Sequence, residues 1–448
     1  MKNLLVKFLM VENRSKLIEE IPWTKTHTIT FAAFAVGLLL EGYIFSLAFI
    51  ASYWYQVPLY LEKLLFSWPY LWLVIGISIG GYISDKVGRK KTFIYSMAMY
   101  AIGGILLTLS VNYALVLISL ALLLAAAGSE MNNIMTMAHE IFPRKHRSKA
   151  MMMLMDFVAL ASVITAAVSF ISISTTIFFG RLMAGTAVLL ALIVLIFLRM
   201  KMPESVRWLE KVGKKDDAIK ESQKILVNAS VTNIDPIDPK IEDNNKSDKK
   251  LPLWFKEVIV TLIAFSNAVG YGFMAYTLAP LFFPSLFPYI VLIAGVAGFA
   301  AGFLGLTGDK YSRKMFLTIS SVAVALLMLI IALTLNIWSK DLIIFWFLLI
   351  AFYAFVQIDY MTEDTLKGEL WPTEHRGKLT ALARAVSIGA YIPLIYLIPN
   401  PSSPNALSEF LMIAVIIWGI GAVAAIIWHI FGIETGKGVS ISIASGEI

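Results

Sequence analysis

The sequence predicts an all-α membrane protein with twelve transmembrane helices in two six-helix bundles, and three observations support this fold class. Of the 448 residues, 58% are hydrophobic and 15% are charged, whereas soluble domains are about half apolar and about a quarter charged. A helix that crosses a bilayer needs about 20 apolar residues, so twelve of them would occupy roughly 240 residues. The basic residues, finally, are concentrated in one set of loops.

Twelve apolar stretches are bounded by charged or turn-forming residues. The first six predicted spans lie at residues 28–52, 66–84, 92–111, 114–138, 150–173 and 178–198. The second six lie at residues 257–280, 288–306, 315–336, 342–362, 379–398 and 408–432. These spans divide the chain into an N-terminal segment (1–27), a first bundle (28–198), a linker (199–256), a second bundle (257–432) and a tail (433–448).

The distribution of Lys and Arg predicts the orientation of the spans. If both termini are cytoplasmic, 33 of the 37 basic residues lie in cytoplasmic segments, two (Lys63 and Lys340) lie outside, and two (Arg181 and Arg384) lie within spans. Cytoplasmic loops of membrane proteins are enriched in Lys and Arg. We therefore expect a multi-pass protein of the cell membrane with both termini and the linker in the cytoplasm.

The linker is the one long polar segment of the chain. Its first part, residues 203–226, predicts an amphipathic helix on the inner membrane surface, because apolar residues recur there at helical spacing. These residues are Trp208, Leu209, Val212 and Ile219. Its second part, residues 228–250, contains two Asp-Pro pairs amid Asn, Ser and Lys, which predicts a flexible loop.

Several classes of function find no support in the sequence. The chain has no cysteine, which excludes disulfides and thiolate sites. It has no P-loop Gly-Lys-Ser stretch and its five His residues are scattered, so we expect no metal, no cofactor and no enzymatic activity. The net charge of +7 follows from the cytoplasmic loops, and we expect no nucleic-acid partner.

Two motifs occur twice, in the same order. Residues 81–90 and 305–314 share the pattern G-x-x-x-D-K-x-[GS]-R-K, and residues 140–147 and 369–376 share E-x-x-P-x-x-x-R. The two offsets are 224 and 229 residues. The second half therefore duplicates the first, and the axis relating them lies along the membrane normal because six spans restore the orientation.

This double pattern resembles the major facilitator superfamily over the whole chain. The stretch PESVRWL at 203–209 is similar to the PESPRWL signature of its sugar-porter and organic-ion/metabolite branches, and GRLM at 180–183 and ETGKG at 434–438 are similar to further family motifs. The resemblance implies two pseudo-symmetric bundles around a central cavity. It also implies a secondary transporter, with a monomer favoured, that moves a small organic solute with protons by alternating access.

The repeated motifs predict an inner gate. Glycine at a tight turn permits close backbone approach, and acids and arginines at cytoplasmic helix ends can form ion pairs that close this side in one state. The predicted gate residues are Gly81, Asp85, Arg89, Glu140, Arg147, Asp309, Arg313, Glu369 and Arg376. The alternative is that these charges only anchor the loops at the lipid headgroups.

Ionisable residues within spans are candidates for function, because each costs about 2.5–3.5 kcal/mol at the centre of a helix. Glu130 and Asp359 each precede the acid of the E-x-x-P motif by ten residues, so they occupy matched positions. We predict that the coupling proton binds to Glu41, Glu130 or Asp156. The alternative is a buried ion pair or hydrogen bond that fixes packing, and Arg181 is expected to extend to the outer headgroups.

The stretch Glu41-Gly42-Tyr43-Ile44 resembles the D-G-Y-D stretch of proton-coupled porters. The second acid of that stretch, which carries the proton in sugar porters, is Ile44 here, and the arginine paired with it is Leu120. The resemblance therefore implies that the family's proton switch is missing and that another carboxyl group replaces it.

The substrate prediction also depends on the resemblance. The glutamine pair that binds hexose in span seven is absent near Asn267, and the stretches around Tyr271, Tyr276 and Arg384 are similar to those of organic-anion porters. We predict an organic anion held by Arg384, with Tyr271, Tyr276, Asn267 and Asp359 as further binding residues, and with Asp156 or the substrate balancing the Arg384 charge.

Four alternatives stay open at this point. A sugar:H+ symporter is one, and a cationic drug/H+ antiporter is another, because four acids within spans outnumber Arg384. An ion channel is less favoured, since two related halves with gate motifs indicate alternating access. A non-transporting sensor is also less favoured, because only 16 residues follow Gly432.

Overall fold

The computed structural model describes residues 14–51, 54, 61–172, 177–226, 251–399, 401 and 403–447. Within these ranges the chain is helical and contains no strand, and twelve helices are long and apolar enough to cross a membrane. The all-α fold class and the number of spans are therefore confirmed. The predicted flexible loop at 228–250 lies outside the described residues.

The spans are numbered 1 to 12 in chain order. In the first bundle they are Lys25–Ala51, Glu62–Val87, Arg89–Leu109, Tyr113–Ile141, Arg144–Ser172 and Ile177–Met200. In the second bundle, span 7 comprises Leu253–Gly270, Phe273–Leu278 and Ala279–Phe282, and span 8 comprises Pro284–Leu286, Phe287–Gly302 and Phe303–Thr307. Spans 9 to 12 are Arg313–Leu333, Leu342–Glu369, Arg376–Gly389 with Tyr391–Leu397, and Pro404–Phe431.

Five shorter helices complete the described structure: Arg14–Glu20, Val206–Lys211, Lys215–Leu226, Leu335–Trp338 and Ile441–Ser445. The first, second and last of these meet at one end of the molecule, where Glu19 accepts hydrogen bonds from Arg207 and Ser440. We call this end the linker face. The other end is the opposite face.

Several spans extend further toward the linker face than the sequence predicts. Span 10 was expected to end at residue 362 but continues to Glu369, and span 5 begins at Arg144 rather than at residue 150. The additional turns of span 10 are buried because they pack between other helices rather than in water. As a result, charged residues assigned to a loop lie inside the protein.

Spans 7 and 11 are interrupted where glycine weakens the helix. Span 7 becomes π-helical after Gly270 and Gly272, and the phenol of Tyr353 accepts the N–H of Ala275 there at 3.2 Å. Span 11 breaks at Gly389. Such π-helical turns and breaks are frequent at functional sites.

The two bundles meet along two pairs of helices. Span 2 packs against span 11, and span 5 packs against span 8, as expected for a pseudo-symmetric pair of bundles. A core of methionines from spans 4, 5 and 10 fills part of the surface between them; it includes Met135, Met151, Met152, Met155 and Met361. Methionine is unbranched and adaptable, so this surface can repack when the bundles move.

The linker forms two short helices where the sequence predicts one. Val206–Lys211 and Lys215–Leu226 are separated by a turn at Gly213, whose φ of 78° favours glycine. Trp208 and Leu209 are buried as expected, but Val212 is 44% exposed because it lies at the end of the first helix. The single apolar face predicted from Trp208 to Ile219 is therefore wrong.

Candidate functional site

The first set of gate residues forms a buried ion network at the linker face. The guanidinium of Arg89 donates to both carboxylate oxygens of Glu140, at 3.1 and 3.0 Å, and lies 3.3 Å from Asp85. Arg89 and the Glu140 side chain are fully buried. Gly88, between spans 2 and 3, has a φ of 106°, which lets the chain turn within one residue.

This network joins the two bundles. Glu140 of span 4 also accepts a hydrogen bond from Arg376 of span 11 at 3.0 Å. Asp85 of span 2 accepts the backbone N–H groups of Gly377 and Lys378, at 3.2 and 2.9 Å, and so caps the N-terminus of span 11. The carboxylates of Glu140 and Asp85, on spans 4 and 2 of the first bundle, thus both bind span 11 of the second bundle.

Gly81 makes this approach possible. A Cβ atom at Gly81 would lie 2.5 Å from the Cβ atom of Ala381 and 2.7 Å from the carbonyl oxygen of Gly377, both on span 11. A side chain at Gly81 would therefore push spans 2 and 11 apart.

The second set of gate residues repeats part of this arrangement. Asp309 accepts the N–H of Lys149, near the start of span 5, at 3.1 Å. Arg313 donates to Glu369 at 3.0 Å, and to the hydroxyl group of Ser148 on span 5 at 2.8 Å. Burial raises the pKa of Asp309 above its usual 3.8.

Arg147 departs from the predicted pattern. By the repeat it corresponds to Arg376, but it lies 3.3 Å from Glu19 in the N-terminal helix, and no ion pair to Glu369 occurs among the described residues. Glu19 also pairs with Arg207 of the linker. Burial alone would raise the pKa of Glu19, but the two arginines outweigh it and hold the pKa below its usual 4.5.

Two glutamates outside the predicted gate support both sets. Glu204 accepts the N–H groups of Arg89 and Lys90 at the start of span 3, at 3.2 and 3.0 Å. Glu434 accepts the N–H of Arg313 at the start of span 9, at 2.8 Å. Their positions in the sequence could have identified them, because each glutamate follows the last span of its bundle within a stretch that resembles a family motif.

Side chains also connect the bundles toward the opposite face. The rings of Tyr70 and Tyr391, on spans 2 and 11, are 4.6 Å apart, and those of Phe170 and Tyr289, on spans 5 and 8, are 5.2 Å apart. The region between the bundles is therefore closed by contacts on both sides. Arg181 is 8% exposed, so it packs inside the protein and does not extend outward as expected.

The matched acids of spans 4 and 10 have different partners. Glu130 pairs with Arg199 of span 6 and accepts from Ser96 at 3.1 Å. Asp359 accepts from Ser320, Ser321 and Asn267, and its contacts with Ser320 and Asn267 both measure 3.1 Å. The structure thus brings Asn267 and Asp359 together, with neutral donors in place of a cation.

Glu41 and Asp156 differ from Glu130 in lying where the bundles meet. Asp156 of span 5 accepts from Gln357 of span 10 at 3.4 Å, and Glu41 of span 1 interacts electrostatically with Arg384 of span 11. One carboxylate oxygen of each is buried and has no hydrogen-bond partner among the described residues.

The predicted pairing of Arg384 with Asp156 is wrong, and balance of its charge by the substrate stays a prediction. Its partner is Asp364 of span 10, with both side chains 1% exposed, and not Asp156. At 1.5 Å per residue, Arg384 lies about 12 Å above the start of span 11 and Tyr271 about 27 Å above the start of span 7. Accordingly, no described hydrogen bond joins Arg384 to Tyr271 or Tyr276.

Tyr271 and Tyr276 belong instead to an aromatic group nearer the opposite face. The ring of Tyr271 lies 6.3 Å from that of Tyr276 and 5.4 Å from that of Tyr353. The Tyr353 hydroxyl donates to the Tyr271 carbonyl oxygen at 2.7 Å. A single pocket containing Arg384 and both tyrosines is therefore not formed in this state.

Sequence reasoning missed three charged residues of span 10. Lys367 lies 3.0 Å from Glu363 and 2.8 Å from Asp364, and all three side chains are at most 5% exposed. They were overlooked because the predicted span ended at residue 362. The signal that could have found them is the helical spacing of the Glu363-Asp364 pair and Lys367, directly before the E-x-x-P motif.

Comparisons with known proteins agree with this architecture. Residues 28–392 match the family model described as "Major Facilitator Superfamily". The chain is 26% identical to the glucose transporter GlcP of Staphylococcus epidermidis, covering 82% of this chain and 86% of the relative. It is 23% identical to the arabinose-proton symporter of Bacillus subtilis, covering 86% and 90%. The match to the minor myo-inositol transporter IolF of Bacillus subtilis, at 27% identity, covers only 34% of each chain.

A solved structure has the same fold. The proton:xylose symporter XylE bound to 6-bromo-6-deoxy-D-glucose superposes with a TM-score of 0.74 at 20% identity, covering 93% of this chain and 98% of the other. The twelve-span fold with two bundles is therefore shared.

Proposed function

We propose that this chain, which belongs to the major facilitator superfamily and is a secondary active transporter of a small organic solute, transports a carboxylate. In this proposal, Arg384 binds the carboxylate and a proton gradient drives its transport. The observation that carries the proposal is the incomplete bonding of Arg384. Its Nη2 atom binds Asp364, while Nε and Nη1 are buried and have no hydrogen-bond partner among the described residues.

A guanidinium with two free, buried donors suits a carboxylate. Nε and Nη1 lie on different edges of the planar guanidinium, so a carboxylate can accept one bond from either of them, or a forked pair from one of them together with the second hydrogen of Nη2. Unpaired buried donors cost about 1–3 kcal/mol each, so a ligand that satisfies them is favoured. The electrostatic interaction with Glu41 of span 1 indicates that this region of Arg384 faces the first bundle, where a solute between the bundles would lie.

Glu41 and Asp156 are the favoured coupling groups in the first bundle. Both are buried carboxyl groups near the second bundle, and a buried carboxyl group can exchange a proton when the cavity opens to either side. Glu130 is less suited, because Arg199 already neutralises it.

We further propose that the linker face is cytoplasmic in the cell membrane. The segments at this face contain most of the basic residues, and positive loops remain on the cytoplasmic side.

A sugar is the second candidate. The relatives matched over most of their length are named as glucose and arabinose transporters. Asp359 with Asn267, Ser320 and Ser321 also offers the neutral and acidic hydrogen-bonding groups that suit hydroxyl groups.

Uptake into proteoliposomes separates the two candidates. We expect gluconate to accumulate when an inward proton gradient is imposed, and Arg384→Ala to abolish this uptake. Arg181→Ala, which removes another buried arginine far from the site, is the matched control and should retain it. Uptake of D-glucose or L-arabinose that is unaffected by Arg384→Ala, without uptake of any carboxylate, would contradict the anion proposal and favour the sugar.

A further inference from the structure

We propose that Glu363, Lys367, Asp364 and Arg384 form a charge relay in which a proton bound at Glu363 promotes binding of an anion at Arg384. The inference rests on the proposed anion site and deepens it by naming the group in the second bundle that links the solute to protons. Four buried groups of alternating sign carry it.

Lys367 connects the two acids of the relay. Its ammonium group lies 3.0 Å from one carboxylate oxygen of Glu363 and 2.8 Å from a carboxylate oxygen of Asp364. The spacings of four and three residues place both acids one turn away from Lys367 on the same face of span 10. One cation is therefore shared between two carboxylates.

Asp364 is in turn shared between two cations. One of its oxygens contacts Lys367 and the other contacts Arg384 of span 11. Because Lys367 and Arg384 compete for the same carboxylate, a stronger interaction with one weakens the interaction with the other. The two ends of the relay are the carboxylate of Glu363, which contacts Lys367 through both oxygens, and the unpaired Nε and Nη1 of Arg384.

The other charged groups around the relay are either acidic or already paired. Asp359 interacts electrostatically with Glu363 along span 10, and Glu41 interacts with Arg384 from span 1. On the remaining helices that pack against span 10, Lys256 donates to Leu370 and Ser445, Arg313 pairs with Glu369, and Asp156 accepts from Gln357. His139 packs against Gly368, and the Glu257 carboxylate has no hydrogen-bond partner among the described residues. Tyr360 of span 10 interacts electrostatically with Asp364 and Arg384, at the other end of the relay. No second cation from these groups reaches Glu363 within the described part of the chain.

The charge balance gives the relay its direction. Two acids and two bases sum to zero, and a buried net charge is costly. When a proton from solution forms an O–H bond on Glu363, the relay gains one positive charge, and Lys367 is left to Asp364 alone. Asp364 then holds Arg384 less strongly, and a carboxylate that binds Arg384 restores neutrality. At the relay, one proton and one anion thus bind together.

Calorimetry on the purified full-length protein tests the relay, with benzoate and gluconate as probes. Titrations in buffers of different ionisation heat measure the protons taken up for each anion bound. We expect the relay of the wild-type protein to contribute about one proton to this uptake, and the affinity for the anion to fall about tenfold per pH unit above the protonation range of Glu363. Glu363→Gln, which mimics the protonated acid, should bind the anion with unchanged low-pH affinity at every pH and take up about one proton fewer.

Glu257→Gln is the matched control, since it neutralises another partly buried glutamate of the second bundle outside the relay, and it should behave as the wild type. A Glu363→Gln protein that still loses affinity tenfold per pH unit would overturn the relay and leave the anion site standing. A wild-type protein that binds neither probe at pH 5, yet binds D-glucose, would overturn the proposed anion site and the relay with it.

Discussion

The two halves of the chain carry the same gate motifs but use them differently. In the first half, Glu140 binds Arg89 of its own bundle and Arg376 of the other. In the second half, Arg313 is the one ion-pair partner of Glu369 among the described residues, and Arg147, which corresponds to Arg376, pairs with Glu19. Both halves share an aspartate that accepts a backbone N–H from a helix of the other bundle.

This difference shows that a duplicated motif does not fix a duplicated set of contacts. The shared part consists of bonds to backbone N–H groups at a helix start, whose position follows from the fold itself. The part that differs depends on arginine side chains, which are long enough to reach more than one carboxylate. The terminal segments and the linker offer such carboxylates, and they break the symmetry.

The comparison predicts that neutralising Glu140 has the largest effect. Glu140→Gln leaves Arg89 and Arg376 buried without their shared counter-charge, which costs about 3 kcal/mol and shifts the closed-to-open ratio of the linker face roughly 150-fold. Since the chain has no native cysteine, Ala381→Cys, a 4% exposed position between spans 2 and 11, serves as reporter. Its reaction with a thiol reagent should accelerate accordingly. Unchanged labelling would show that Glu140 does not hold the bundles together.

A matched pair of arginine variants sharpens the comparison. Arg89→Ala removes two hydrogen bonds to Glu140 and the contact with Asp85, whereas Arg313→Ala removes one ion pair and one bond to Ser148. We expect Arg89→Ala to shift the free-energy difference between the closed and the open linker face by about 2 kcal/mol toward the open state, and Arg313→Ala to shift it by about 1 kcal/mol.

Two cysteine reporters distinguish the two helix pairs along which the bundles meet in that experiment. Ala381→Cys reports on spans 2 and 11, and Met152→Cys, which is fully buried beside Gly305, reports on spans 5 and 8. If Arg313→Ala accelerates labelling at both positions as strongly as Arg89→Ala, the two gate sets are equivalent and the asymmetry has no consequence.

The sequence was sufficient for the elements that depend on composition and repetition. Apolar length determined the twelve spans, and the repeated motifs located Asp85, Arg89 and Glu140 at one face, where the structure joins them. The sequence was insufficient where the two residues of a contact are far apart in the chain. Nothing local indicates that Asp364 balances Arg384, or that Glu130 meets Arg199, because both contacts arise only when helices pack. Residues 363–367 were assigned to a loop, because the predicted span 10 was ended at the first charged residues that follow it.

A small effect, similar to that of Arg313→Ala, is expected where the symmetry is broken, at Glu19. Glu19→Gln removes the charge shared by Arg147 and Arg207 and should open the linker face by about 1 kcal/mol, or roughly fivefold in labelling of Met152→Cys. Because the two arginines lower the pKa of Glu19 below its usual 4.5, its stabilising contribution is complete above that pH and is lost as pH falls through the lowered pKa. The difference in labelling rate between Glu19→Gln and the parent should therefore be constant from pH 6 to pH 8 and diminish only in more acidic solution.

Glu20→Gln, a neighbour whose contact with Arg144 is more exposed, is the control and should change labelling less. If Glu19→Gln is silent at pH 7, Arg147 does not depend on the N-terminal helix, and the asymmetry of the two gates must have another origin.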